Sequence, residues 1–191
     1  MTYYRGRRRP YYARPYYERS GNTLPALPTI YKDTRFASRT EARWAILFDE
    51  LGLEWGYEIG KYSTGYGSYT PDFALPDLDV WWEVKGAEPV RGAVLAARGL
   101  AMKDRHAVVL SWGAPSTFKR LRITNGSQEY PAYLVRCKNC KKITVRYLVP
   151  GPPYDLVFVN QEEGHSWDIS HPSLVSAQKK ARDFQFSEVD G

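Results

Sequence analysis

Long apolar runs are missing from this sequence: nowhere does it approach the roughly 20 uninterrupted apolar residues of a membrane-spanning helix. The arginine run near the N-terminus has no apolar segment behind it, so a secretory signal peptide is not expected either. Cysteine is scarce. Cys137 and Cys140 stand only three apart, too few and too local for a disulfide framework, which fits a reducing compartment. The expectation is a soluble cytoplasmic protein with no membrane partner. Internal repeats are absent as well.

What is present suits folding. With 191 residues and 15% aromatic content, the chain can bury a core and has the length of one domain with a small addition. Its net charge of +6 is unevenly placed: the first 20 residues, "MTYYRGRRRPYYARPYYERS", hold six arginines against one glutamate and lack Leu, Ile and Val. Such a tail is expected to be disordered when free, and a proline-containing linker follows it to residue 35. Arg5, Arg7, Arg8, Arg9 and Arg14 would neutralise phosphates while the tyrosines stack on unpaired bases, a mixture that single-stranded or branched nucleic acid favours. A solubilising extension, or a segment docked on a protein partner, is the plainer reading and stays open.

"SRTEARWAILFDELG" predicts a helix from Ser38 to Leu51, closed by Gly52, with Trp44, Leu47, Phe48 and Leu51 as its apolar stripe. A strand near "EWGYEIG", one running up to Asp72 and one through Glu83 follow, then a helix over 89–103 and a buried strand, "HAVVLSWG". Beyond residue 115, "AYLVRCKNCKKITVRYLV" reads as a hairpin with both cysteines at its turn and "YDLVFVN" as a strand. "SHPSLVSAQKKARDF" reads as a helix capped by Ser170 with Pro172 in its first turn. The chain is thus expected to be α/β: a tail and linker over 1–35, an αβββαβ core over 36–115, and a small β-rich appendage with a C-terminal helix over 116–191.

"YTPDFALPDLDVWWEVKG", residues 69 to 86, carries the chemistry. Side chains alternate along a strand, so Trp81, Glu83 and Lys85 share one face and Val80, Trp82 and Val84 the other. Flanking tryptophans and valines predict burial, where a carboxylate and an ammonium need each other, or a metal, to offset desolvation. An edge-strand pair guarded by lysine is the plainer reading. Asp72 is either a turn former or a third polar group of the same site, and Asp77 and Asp79 already serve the turn. Glu41 completes a capping box with Ser38 and also borders the apolar stripe, where it would look toward the sheet. Carboxylates suit a hard divalent ion, since a magnesium site combines one or two of them with waters and a substrate phosphate.

The acidic helix residue, Pro71-Asp72, ten intervening residues and Glu83-Val84-Lys85, with a helix and a strand after them, resemble the PD-(D/E)xK nuclease superfamily over residues 36 to 112. Within it, "YTPDFALP…WEVKG" is similar to the junction-resolving endonucleases of T-odd phages and to endonuclease subunits of heteromeric transposases. The resemblance implies a restriction-endonuclease-like core, a mixed sheet flanked by helices, that cleaves DNA with Mg²⁺ or Mn²⁺. It makes Asp72, Glu83 and the Val84 carbonyl direct metal ligands, and Glu41 a ligand through water or at a second site. Lys85 would orient the attacking water and steady the phosphate. Arg39, Arg43 and Lys61 would contact flanking phosphates, although ordinary surface charge is the plainer reading of all three. A homodimer is implied for a junction cutter, a partner subunit for a transposase-type enzyme, and a bacterial or archaeal host if the chain is phage-encoded.

Cys137 and Cys140 have the spacing of a zinc knuckle, for which His165 and His171 are the candidate remaining ligands of a structural Zn²⁺. A lapsed ribbon or plain hairpin residues stay open. His106, at the start of an apolar strand, reads as structural. The leading function is a metal-dependent DNA endonuclease selective for branched or junction DNA. The alternatives are a non-catalytic nucleic-acid-binding or structural protein of a phage or mobile element, a site-specific nuclease of homing, restriction or transposase type, and an RNA-directed nuclease.

Overall fold

The first long helix, α1 (Arg39–Glu50), begins and ends where its sequence supplies caps. Ser38 Oγ accepts the Glu41 N–H at 3.2 Å, and Gly52 sits at φ +70 with its N–H bonded to Asp49 O while the Leu53 N–H reaches Phe48 O. That paired closure needs a left-handed residue, which glycine adopts without a Cβ penalty. Trp44, Leu47 and Phe48 are fully buried and Leu51 nearly so. The chain is a computed structural model that describes residues 26–117, 120–150, 156–158 and 164–187. The tail arginines Arg5, Arg7, Arg8, Arg9 and Arg14, and the disorder expected of that tail, lie outside the described residues.

In chain order the strands are β1 (Thr29–Tyr31), β2 (Thr34–Phe36), β3 (Gly56–Tyr57), β4 (Tyr62–Thr64), β5 (Gly67–Tyr69), β6 (Phe73–Leu75) and β7 (Val80–Lys85). Helix α2 (Arg91–Asp104) separates these from β8 (Ala107–Trp112), β9 (Leu121–Thr124), β10 (Glu129–Cys137), β11 (Ile143–Pro150), β12 (Leu156–Phe158) and β13 (Trp167–Asp168), and helix α3 (Pro172–Asp183) follows. The main sheet runs β12-β11-β10-β9-β8-β7-β6-β3, with β13 paired to β10. It is mixed: β7 and β8, joined through α2, are parallel, and the other neighbouring pairs are antiparallel. The chain is therefore α/β.

Alternation sorts the two faces. Phe73, Trp82 and Val109 meet α1, where the Trp44 and Phe48 rings lie 5.3 and 5.2 Å from the Trp82 ring. Ala74, Trp81, Val108 and Leu110 meet Ala97, Leu100 and Ala101 of α2. Residues after 115 do not stand apart from this core as an appendage. Strand β9 continues the sheet beside β8, and Leu134, Leu174, Ala177 and Ala181 join the core of Trp44 and Phe48. The cause is α3, whose apolar stripe packs on α1.

Three further expectations need correction. Residues 29–36 are a hairpin rather than linker: Lys32 and Asp33 both take positive φ, the backbone of a two-residue hairpin turn, and Phe36 is fully buried against Trp55, Tyr57 and Phe73. The sheet strand beside β7 starts after Asp72, because β5 pairs with β4 in a hairpin of its own. His171, not Ser170, caps α3, its Nδ1 accepting the Ser173 N–H at 3.3 Å; Pro172 occupies the first helical position as expected. The hairpin around the cysteines and the buried strand β8 form as read.

Candidate functional site

Extending the β6–β7 register, in which Phe73 faces Trp82, by one residue sets Asp72 across from Glu83. Glu83 in turn faces Leu110 of β8, and Leu110 faces Arg122 of β9. Directly opposed residues share a face, so Asp72, Glu83, Leu110 and Arg122 form one row across the sheet on the α2 side. Both carboxylates are 1% exposed. Asp72 Oδ2 accepts the Val84 N–H at 2.7 Å, and the half-exposed Lys85 ammonium pairs with Glu83 Oε1. Ser111, fully buried, holds the strand beneath: its Oγ donates to Glu83 O at 3.1 Å and accepts from Trp82 Nε1 at 2.9 Å.

The site lies at the carboxyl ends of the two parallel strands, the edge at which open α/β sheets bind their ligands. The Gly113 N–H donates to Lys85 O at 2.8 Å and Trp44 Nε1 donates to Gly113 O at 3.2 Å, which ties α1 to that edge. Two strands away from Glu83, a groove of about 330 Å³ is lined by Arg91, Arg98, Arg122 and Glu129. Arg122 lies 5.7 Å from the Trp112 ring and pairs with Glu88 and Glu129. This basic groove is not legible in the sequence. Its only signal was the face that Trp112 shares with Leu110, and Arg122 fell in a segment with no element assigned.

Glu41 is placed differently. It is 7% exposed on α1, the helix covering the opposite face, and its Oε2 accepts from the Tyr57 hydroxyl at 2.5 Å and from the Ala37 N–H at 3.2 Å. Ser38 Oγ donates to Oε1 at 2.9 Å, so Glu41 does return to the helix start as the capping-box pattern suggests, but the backbone N–H it accepts is that of Ala37, one residue before the cap. Burial, the Glu41 charge and that hydrogen bond push the Tyr57 phenol far above its usual range. Arg39 is half-buried, Arg43 is half-buried over the Phe186 ring, and Lys61 is exposed. His106 bridges Asp79 and Asp104.

Among the described residues, one group of three His, Cys, Asp or Glu side chains has ligand atoms all within 4.8 Å of one another: Cys137, Cys140 and His165. The three carboxylates do not make such a group. Burial raises the Cys137 thiol, but the N–H groups of Cys140, Asn139 and Ser166 together with His165 outweigh it and bring it down to about 6. His171 is not brought to the cysteines; its Nδ1 is engaged at the start of α3.

No family model, curated protein or solved structure matches the chain.

Proposed function

We propose that the chain is a metal-dependent DNA endonuclease whose active site is built on Asp72, Glu83 and Lys85. The observation that carries this reading is the burial of two carboxylates, Asp72 and Glu83, each one residue beyond the paired Phe73 and Trp82 on neighbouring strands, with the Lys85 ammonium on Glu83. Burying an ion costs several kcal/mol and two adjacent carboxylates add mutual repulsion, so Lys85 offsets only part of the charge in the row. The donor set is all oxygen, which fits Mg²⁺ or Mn²⁺. Asp72, Glu83 and the Val84 carbonyl would hold the ion, whereas Glu41, on the helix covering the opposite face and engaged by Tyr57, Ala37 and Ser38, has no part in this site. When bound, the ion supplies a nucleophile from water and charge neutralisation at the phosphate.

The protein's own groups do the rest. The Val84 N–H holds one oxygen of Asp72 against β7. Ser111 anchors the Glu83 backbone, and Lys85 offers a point charge to a phosphate oxygen. Arg91, Arg98 and Arg122 line a groove two strands away on the sheet, where a phosphate backbone would lie, with Trp112 beside Arg122. A branched or partly single-stranded substrate is the finer reading, carried by the tyrosine- and arginine-rich tail. A homodimer would supply two such sites for paired cuts.

One observation favours a second reading, nucleic-acid binding without turnover: one oxygen of each carboxylate is already engaged, Glu83 Oε1 by Lys85 and Asp72 Oδ2 by the Val84 N–H. Incubating labelled four-way junction, flap, single-stranded and linear duplex DNA, and matched RNA, with the protein and Mg²⁺ or Mn²⁺ separates the two. Chelator-sensitive cleavage supports the nuclease, and the preferred substrate ranks its specificity. Tight binding with no cleavage of any substrate supports the second reading.

A further inference from the structure

The turn between β10 and β11 has a second, independent chemistry. Cys137 ends β10 and Cys140 follows three residues later in the turn, the spacing by which one backbone loop presents two thiolates to one ion. His165 arrives from far along the chain. Its Nδ1 lies 3.3 Å from Cys137 Sγ and 3.4 Å from Cys140 Sγ. Ligands of a tetrahedral zinc, at about 2.3 Å for sulfur and about 2.0–2.1 Å for nitrogen, stand roughly 3.5 Å apart. The observed spacings match that edge.

The surroundings hold His165 in this pose. The Lys138 N–H donates to Ser166 O at 2.7 Å and Asn139 Nδ2 to Gly164 O at 3.0 Å, fastening the histidine's segment to the cysteine turn. Strand β13 then pairs with Cys137 itself. The imidazole stacks on Trp167 at 5.2 Å with an interplanar angle of 8°, and the nearly buried Arg146 lies 4.5 Å from the other ring in this stack, that of Trp167. A ring clamped this way loses little rotational freedom on binding. Two sulfurs and an imidazole are soft to intermediate donors, which select zinc over magnesium or calcium.

We propose that Cys137, Cys140 and His165 bind a zinc ion that locks segment 164–168 onto the β10–β11 turn, with an oxygen donor completing the tetrahedron. The fourth ligand is oxygen because the chain has two cysteines and three histidines, and His106 and His171 are committed elsewhere. The site is separate from the carboxylate row, so it neither supports nor depends on cleavage.

The test uses the full chain purified without chelators. Elemental analysis should find stoichiometric zinc. Exchange for Co²⁺ should give the strong visible bands of a tetrahedral ion together with thiolate charge-transfer absorption. Cys140→Ser, at an exposed position, and His165→Ala should weaken cobalt binding by more than the ~10–100-fold typical of changes outside the ligand set. His171→Ala should keep the metal, and circular dichroism of each variant checks folding. A wild-type chain that takes up neither zinc nor cobalt, that carries a Cys137–Cys140 disulfide instead, or whose metal survives in folded Cys140→Ser and His165→Ala overturns the proposal.

Discussion

Asp72 is fastened to the neighbouring strand: its Oδ2 accepts the backbone N–H of Val84 at 2.7 Å, both residues being nearly inaccessible to solvent. A carboxylate that served only a turn would have no need of this bond. Removing it strands a buried N–H, so Asp72→Ala should lose about 1–3 kcal/mol of stability. Asp72→Asn keeps an acceptor of the same shape and should lose less. Urea unfolding of the two variants measures the difference, and equal losses would show that the bond to Val84 contributes nothing.

Lys85 is the neutralising partner of a buried carboxylate. Breaking a fully buried pair costs ~3–5 kcal/mol, and the half-exposed ammonium scales that down, so Lys85→Met should destabilise by about 1–3 kcal/mol. The double variant Glu83→Gln, Lys85→Met should recover part of that loss, because no charge is then left behind. A double variant less stable than the sum of the two single changes would contradict the coupling.

Tyr57 donates to Glu41, and its phenol titrates far above the usual range. In the unfolded chain tyrosine ionises near ~10. Above that pH the unfolded state gives up a proton the folded state keeps, so this contribution to stability is complete below about pH 10 and is lost as pH rises toward the folded value. Tyr57→Phe should therefore flatten the alkaline fall in stability while costing about 1.5–3 kcal/mol at neutral pH. Unfolding free energies across an alkaline series test this, and parallel slopes for the two proteins would rule it out.

Arg122 stands in the same row as Glu83, two strands away. If the groove carries DNA, Arg91→Ala and Arg122→Ala should each weaken binding across all sequences and lower the salt slope of the association constant by about 1. Fluorescence anisotropy at several salt concentrations reads both quantities. Unchanged slopes would move the DNA path off this groove.

Local signals were legible in the sequence wherever one segment contained the whole cause. Helix α1 carried its cap, stripe and closing glycine within fifteen residues, and the alternation through Trp81, Glu83 and Lys85 set their shared face. What depended on distant partners was not legible. Residues 29–36 look like linker because the turn at Lys32 and Asp33 lacks the usual Asn-Gly, and Phe36 is ordered by Tyr57 and Phe73, contacts that no short window contains. The segment after residue 115 looked separate because α3 shows its apolar stripe but not the helix it covers. The layout of the sequence grouped Glu41 with Asp72, Glu83 and Lys85, whereas in the fold Glu41 takes its hydroxyl partner from Tyr57, sixteen residues away and outside any short window. His165 and His171 could not be told apart by spacing, since the first is selected by pairing of β13 with β10.

If Asp72 and Glu83 hold a divalent ion for phosphodiester cleavage, binding and cleavage of one labelled four-way junction by wild type and Asp72→Asn will show it. With Mg²⁺ or Mn²⁺, wild type should cleave, Asp72→Asn should be slower by at least ~10³-fold, an electrostatic loss of about 4 kcal/mol, and the variant should retain its DNA affinity. Equal cleavage by both proteins, or binding by both with no cleavage in either ion, would contradict it.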